Sequence, residues 1–158
     1  MALQKGENSY ATVLEADTYF ADRLDVVAWT SADSLTKAQA LITAASILDD
    51  MSWTGSAISE DQPLAFPRTG SYFDPKVGSI MDLGDDIPVR IFKANIEMAH
   101  HLMNNDGLQD DTGNIKRIQV GPITIENNIR PSVLPPNVKR LVKPLMVNSG
   151  SHSWWRAN

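Results

Sequence analysis

Histidines and carboxylates are the groups of this 158-residue chain whose types and spacing could do chemistry. His100 and His101 are adjacent, so on a helix they point about 100° apart and cannot bind one ion together. Glu97 lies within one helical turn of both, which allows a Glu–His pair but leaves a metal site short of ligands. The spacing therefore favours exposed helix histidines over a metal site.

The other carboxylates are mostly arranged as neighbours in the chain. The pairs Asp49-Asp50, Asp85-Asp86 and Asp110-Asp111 suit helix ends and turns better than a catalytic dyad. The sequence contains no phosphate-binding glycine loop, nucleophile elbow or dinucleotide fingerprint. Because the chain has no cysteine, thiol catalysis and disulfides are excluded. We therefore expect a protein without enzymatic activity, metal or cofactor.

Charge is unevenly distributed along the chain. Residues 1–111 hold 18 acidic against 7 basic side chains, a balance of −11, whereas residues 112–158 hold one acid against 7 bases, a balance of +6. This division predicts an acidic body and a basic tail that seeks an acidic partner, although chance in a short segment could also produce it. Trp154 and Trp155 in the tail could stack on bases, anchor a protein interface, or fold back on the chain's own core.

The elements that would position these groups are mainly helical. Apolar periodicity predicts a helix over about 15–24, a longer one after it, and a third in 87–105. The longer helix should carry on one face the apolar side chains Ala38, Leu41, Ile42, Ala45, Leu48 and Met51. Ser31 or Ser34 could cap the second of these helices. The third should bury a stripe made of Val89, Phe92, Ile96, Ala99 and Leu102 or Met103.

The segment 52–86, with four glycines and three prolines, shows no sustained period and is predicted to be a long irregular loop. After residue 113, two β-prone runs around Gly121-Pro122 predict a hairpin, and a proline-rich arm follows. The arm leads into a short helix with Val138, Leu141, Val142 and Leu145 inward, whose last turn Pro144 weakens, and a polar tail follows it. The predicted fold is a mainly α bundle of three to four helices, with residues 1–112 as its body and 113–158 as hairpin and C-terminal arm.

Three features of the region 10–105 resemble one family of tailed-phage proteins. They are Ala28-Trp29 before the long helix, Leu48-Asp49 followed by Trp53 and Gly55, and the motif QPLAFPR at 62–68. The family is that of the head-tail adaptors, also called head completion or connector proteins. Related phage sequences are also described as DnaT-like single-stranded-DNA-binding proteins. The segment LPPNVKRLVKPLM is similar to the adaptors' proline-led C-terminal segment.

The resemblance implies a structural virion protein, made in the host cytoplasm and located at the head–tail junction, with no membrane segment. Homo-oligomers of about twelve copies would form a ring below the portal protein, extend the DNA channel without binding DNA specifically, and provide a platform for the next neck or tail protein. The alternative function is a replication accessory that binds single-stranded DNA.

Two groups of residues are expected to make the contacts of such a ring. The predicted subunit contacts are Leu64, Phe66, Arg68, Tyr72 and Phe73. For Leu64 and Phe66 the alternative is that they fill the core of their own subunit. The predicted contacts to the portal or another partner are Lys139, Arg140, Lys143, Trp154 and Trp155.

Overall fold

The computed structural model describes residues 2–104, 117–120, 123–126 and 134–147. Three helices come first: α1 (Val13–Phe20), the short α2 (Val27–Thr30) and α3 (Ser34–Asp49). Thr12 and Glu15 form a capping box at the start of α1. The cap of α3 is Asp33, whose carboxylate accepts a hydrogen bond from the Thr36 amide, so neither serine predicted for this position is the cap.

The prediction of a mainly α fold is wrong, because the segment 52–86 contains a three-stranded sheet. Strands β1 (Ser56–Ala57), β2 (Arg68–Asp74) and β3 (Ser79–Leu83) form a three-stranded antiparallel sheet in that order. The turn between β2 and β3 is closed by the Gly78 amide, which donates to the Asp74 carbonyl (2.7 Å), and Gly78 has a φ of 76°. Of the glycines and prolines that suggested irregularity, Pro75 and Gly78 form the turn between β2 and β3, and Pro63 and Pro67 lie in the connection between β1 and β2, whereas Gly70 lies within β2. The chain is a mixed helical and β domain.

Helix α4 (Val89–Asn104) is the centre of the domain. Helices α3 and α5 (Pro136–Val142) both pack along it, and α2 contacts it as well. Six consecutive residues, 94–99, are therefore buried, including Asn95, whose side chain donates to the Leu41 carbonyl at 3.0 Å. The sequence predicted that α4 would bury a single apolar stripe, but several elements cover this helix and its buried surface is wider. The prediction was also wrong at Val89, which is exposed.

The C-terminal elements agree with the sequence pattern. Strands β4 (Arg117–Val120) and β5 (Ile123–Glu126) pair as the predicted antiparallel hairpin. Helix α5 buries Val138 and Val142, and a 3-10 turn over Lys143–Leu145 follows it, where Pro144 prevents a regular last turn. Among the described residues, no helix is both long and apolar enough to cross a membrane.

Candidate interaction surfaces

Two apolar side chains of the 62–68 loop, Leu64 and Phe66, face the chain's own core. Leu64 and Phe66 are 6% and 1% exposed. The Phe66 ring lies edge-on to Trp53, with centroids 5.1 Å apart, and to Tyr10, at 6.3 Å. This arrangement is the alternative that the sequence left open for these two residues. In the isolated chain they present almost no surface to a neighbour.

Asp49, at the end of α3, holds the loop in place. Its carboxylate accepts hydrogen bonds from the Tyr10 hydroxyl and from the Ala65 amide (3.0 Å). Burial raises the pKa of Asp49, and its hydrogen bond from Tyr10 opposes that shift. Burial and the adjacent Asp49 raise the pKa of the Tyr10 phenol. One carboxylate thus connects the N-terminal segment, α3 and the loop.

Arg68, also predicted as a subunit contact, bonds to backbone of its own chain. Its guanidinium donates to the carbonyls of Thr54 (3.0 Å), Gly55 (2.7 Å) and Ala65 (3.3 Å), and it lies over the Phe66 ring at 6.0 Å. Arginine presents several donors in a fixed geometry, which suits this set of carbonyls. Arg68 therefore ties the loop to the residues just before β1.

The hairpin of β2 and β3 has two different faces. Tyr72 and Leu83 lie on the inner face, where Tyr72 is half-buried and Leu83 buried. Phe73 and Ile80 are directly opposite each other on the outer face and are 57% and 72% exposed, and Val77 in the turn is 60% exposed. The solvated face of an antiparallel sheet is usually polar, so an apolar cross-strand pair there indicates a contact surface.

An ion pair fixes this hairpin to α4. Two nitrogens of Arg90 donate to the two carboxylate oxygens of Asp74, at 2.9 and 2.5 Å, and the Tyr72 hydroxyl donates to the same carboxylate at 3.2 Å. The Arg90 hydrogen bonds hold the pKa of Asp74 well below its usual range, and burial raises the pKa of Tyr72. The bidentate geometry makes the hairpin and the start of α4 a single unit.

A pocket of about 570 Å³ lies between the inner face of the hairpin and the first turns of α4. Leu83, Pro88 and Leu141 contribute apolar wall, and Lys76 and Lys93 contribute positive charge. Asp82 and Asp86 also line the pocket, so it combines apolar walls with side chains of both charges, next to the exposed hairpin.

A buried carboxylate joins three segments at the other half of α4. Glu97, 4% exposed, pairs with Arg23 and accepts hydrogen bonds from the Tyr19 hydroxyl (2.6 Å) and the Asn137 amide (2.8 Å). Burial and the neighbouring Glu97 raise the pKa of Tyr19 to about 12. This network connects α1, α4 and α5. The adjacent His100 lies 5.2 Å from Phe20 between ring centroids, and burial lowers its pKa.

The acidic body carries few cations able to meet a phosphate. Residues 2–104 contain 15 acidic and 7 basic side chains. Four of these seven bases are in ion pairs with carboxylates, and Arg68 is on backbone carbonyls. Within the described ranges, no three histidine, aspartate or glutamate side chains are grouped to hold a metal ion.

Comparison with known proteins gives one family. Residues 2–157 match the model of the family described as "Putative DnaT-like ssDNA binding protein". The chain belongs to this family. No curated protein and no solved structure matches it.

The remaining predicted contacts of this family member lie near its C-terminus. Lys139, Arg140 and Lys143 are exposed on α5 and the turn after it. Lys139 and Lys143 are four residues apart, which brings them to one side of the helix. Trp154 and Trp155 lie outside the described residues.

Sequence reasoning missed the outer-face pair of Phe73 with Ile80, the Asp49–Tyr10 bond and the Glu97 network. The first had a detectable signal, because two short apolar runs flank the turn sequence DPKVG. The other two depend on partners 39 and 78 residues away along the chain, and a single sequence gives no sign of such distances.

Proposed function

We propose that this chain is a structural connector of a tailed phage, which forms a ring below the portal and receives the next neck or tail protein. The observation that carries the proposal is an exposed apolar hairpin on an acidic body. Phe73, Val77 and Ile80 offer contact area to a protein, not to a phosphate backbone. The resemblance of the region 10–105 to head-tail adaptors supplies the more specific role.

The charge of the body supports the same role. A ring that surrounds DNA in transit must not hold its phosphates, and 15 acids against 7 mostly engaged bases repel them. The exposed cations Lys139 and Arg140 of α5 and Lys143 of the 3-10 turn are available for an acidic partner surface such as that of a portal. The function needs no reaction and no cofactor.

Co-sedimentation of the full chain with purified portal rings tests this function. We expect the chain to sediment with the rings, and a triple change of Lys139, Arg140 and Lys143 to glutamate to abolish this. A change of Lys5 to glutamate is the matched control, since that exposed lysine lies on the body and pairs with Glu15. Failure of the wild-type chain to bind, together with its absence from purified particles, would contradict the proposal.

Binding of single-stranded DNA is the second candidate, and the family's description names it directly. The three exposed cations of α5 and the 3-10 turn are the described groups that suit it. The body offers little to stack on a base, because Trp29 and Trp53 are buried and Phe73 is its exposed aromatic ring among the described residues.

A mobility-shift titration at two salt concentrations separates the candidates. Single-stranded-DNA binding should weaken steeply with salt and be lost when Trp154 and Trp155 become alanine. The absence of a shift at low salt would exclude this candidate and leave the connector.

A further inference from the structure

His100, in the later part of α4, has a buried ring nitrogen that no described residue satisfies. Its Nε2 is shielded from solvent and makes no hydrogen bond within the described ranges. The ring packs against Phe20 at the end of α1, with centroids 5.2 Å apart, and Phe20 packs at the same distance against Trp29 of α2. Phe20 and Trp29 are 2% and 1% exposed. A row of rings therefore joins α4 to the segment 20–30.

The charged groups around His100 come from its own helix and from the connection between α1 and α2. Glu97 and Asp25 favour the protonated imidazole, whereas Arg23 and His101 oppose it. Burial is the largest influence, and it lowers the pKa of His100. The Glu97 carboxylate is already engaged by Arg23 and by two further hydrogen bonds. The neutral imidazole therefore suits the packed structure better than the charged one.

The segment 20–30 is the weaker side of this contact. Helix α2 has four residues and no side-chain cap at its start, and Asp25 before it has a left-handed backbone with a φ of 58°. Leu24 and Val27 expose 94% and 71% of their surface. Helix α4, by contrast, packs along both α3 and α5. An element with few buried contacts opens locally at a lower free energy than the rest of a domain.

We propose that His100 is a pH-sensitive switch, whose protonation releases the segment 20–30 from α4 while the rest of the domain stays folded. An imidazolium donates from both ring nitrogens, and Nε2 has no acceptor among the described residues. A buried charge without a partner is costly, and movement of the segment lets water reach the ring. The same movement uncovers Phe20 and Trp29. The switch does not depend on the partner that the chain binds.

Proton linkage fixes the direction and the size of the effect. When the segment is open, His100 has the ordinary histidine pKa of about 6.5, whereas burial in the closed contact lowers that pKa. Opening therefore takes up a proton as the pH falls below about 6.5, and its equilibrium constant rises by up to about tenfold per pH unit. The rise ends below the pKa of the closed state.

Amide hydrogen exchange of the full chain, followed by NMR between about pH 7.5 and about pH 5, tests the switch. The amides of Trp29 and Thr30 both donate to the Val26 carbonyl and report on the segment. The amides of the buried residues 94–99 report on global unfolding. We expect the first two amides to be less protected at every pH. Their protection, corrected for intrinsic exchange, should fall by up to about tenfold per pH unit below about pH 6.5.

Two matched variants assign the effect to one side chain. His100→Gln should remove the pH dependence at Trp29 and Thr30, because glutamine does not titrate, whereas His101→Gln should keep it. If His100→Gln does not fold, the two groups of amides in the natural chain decide the question.

Three results would overturn the inference. The first is protection of Trp29 and Thr30 that does not change with pH. The second is protection equal to that of residues 94–99, which would mean that the segment opens only with the whole domain. The third is a pH dependence that survives His100→Gln.

Discussion

Replacement of Phe66 by alanine measures whether the 62–68 loop belongs to the core of a single chain. The ring is 1% exposed and lies edge-on to Trp53 and Tyr10. Truncation of a buried phenylalanine costs about 3–5 kcal/mol, and aromatic pairs add about 0.5–1.5 kcal/mol each beyond the buried area. We expect Phe66→Ala to lower the free energy of unfolding by about 4 kcal/mol.

Urea denaturation followed by tryptophan fluorescence gives this value, and thermal unfolding should show a fall in Tm of roughly 8–16 °C at about 2–4 °C per kcal/mol. Phe73→Ala is the matched control, because the same residue type is 57% exposed there and its loss should change stability by less than about 0.5 kcal/mol. The loss for Phe66→Ala must not depend on protein concentration. A loss below about 1 kcal/mol, or one seen only where the chain self-associates, would refute the reasoning and place Phe66 at a subunit contact.

Three further predictions concern residues that stabilise the fold. Gly55→Ala should lower the free energy of unfolding in chemical denaturation by about 2 kcal/mol or more, because Gly55 has a φ of +78° and an added Cβ would lie 2.0 Å from the Thr69 carbonyl oxygen. Gly84→Ala, where the added Cβ meets open space, should leave stability nearly unchanged. Equal effects of the two changes would contradict this prediction. Glu97→Gln should lower the free energy of unfolding by about 2–3 kcal/mol, since it removes the carboxylate charge that pairs with Arg23. Tyr19→Phe, which removes one hydrogen bond to Glu97, should lower it by about 1 kcal/mol. An unchanged stability in Glu97→Gln would be the contrary result. Stability should fall between pH 7 and pH 5, because burial lowers the pKa of His100 and the unfolded chain therefore gains a proton that the folded chain resists. In denaturation at several pH values, His100→Gln should flatten the dependence of stability on pH. An unchanged dependence would disprove the assignment of the effect to His100.

Periodic elements were predictable from the sequence, and contacts between distant segments were not. Helices α3 and α4 have apolar residues at helical spacing, and the β4 and β5 runs are rich in β-branched residues on either side of Gly121-Pro122 in the sequence. The β2–β3 hairpin escaped because Phe73 and Ile80 on its outer face are apolar, which interrupts the alternation that identifies a half-buried strand. The same feature that concealed the strand is the one that marks the contact surface.

For the candidate contact residues, too, one property was predictable from the sequence and another was not. Their apolar character was evident from the sequence, but burial depends on what lies opposite in three dimensions. Phe66 and Phe73 are both phenylalanines near prolines, yet one meets Trp53 and the other meets solvent. Of the five residues predicted as subunit contacts, Phe73 has the exposed ring that a neighbouring copy could cover.

Cryo-electron microscopy of particles from the phage that encodes this chain tests the central claim most directly. We predict a ring of about twelve copies below the portal, in which the outer face of each β2–β3 hairpin is covered by the neighbouring copy. A head–tail junction that lacks this chain, or a ring in which Phe73 and Ile80 face solvent, would contradict the account.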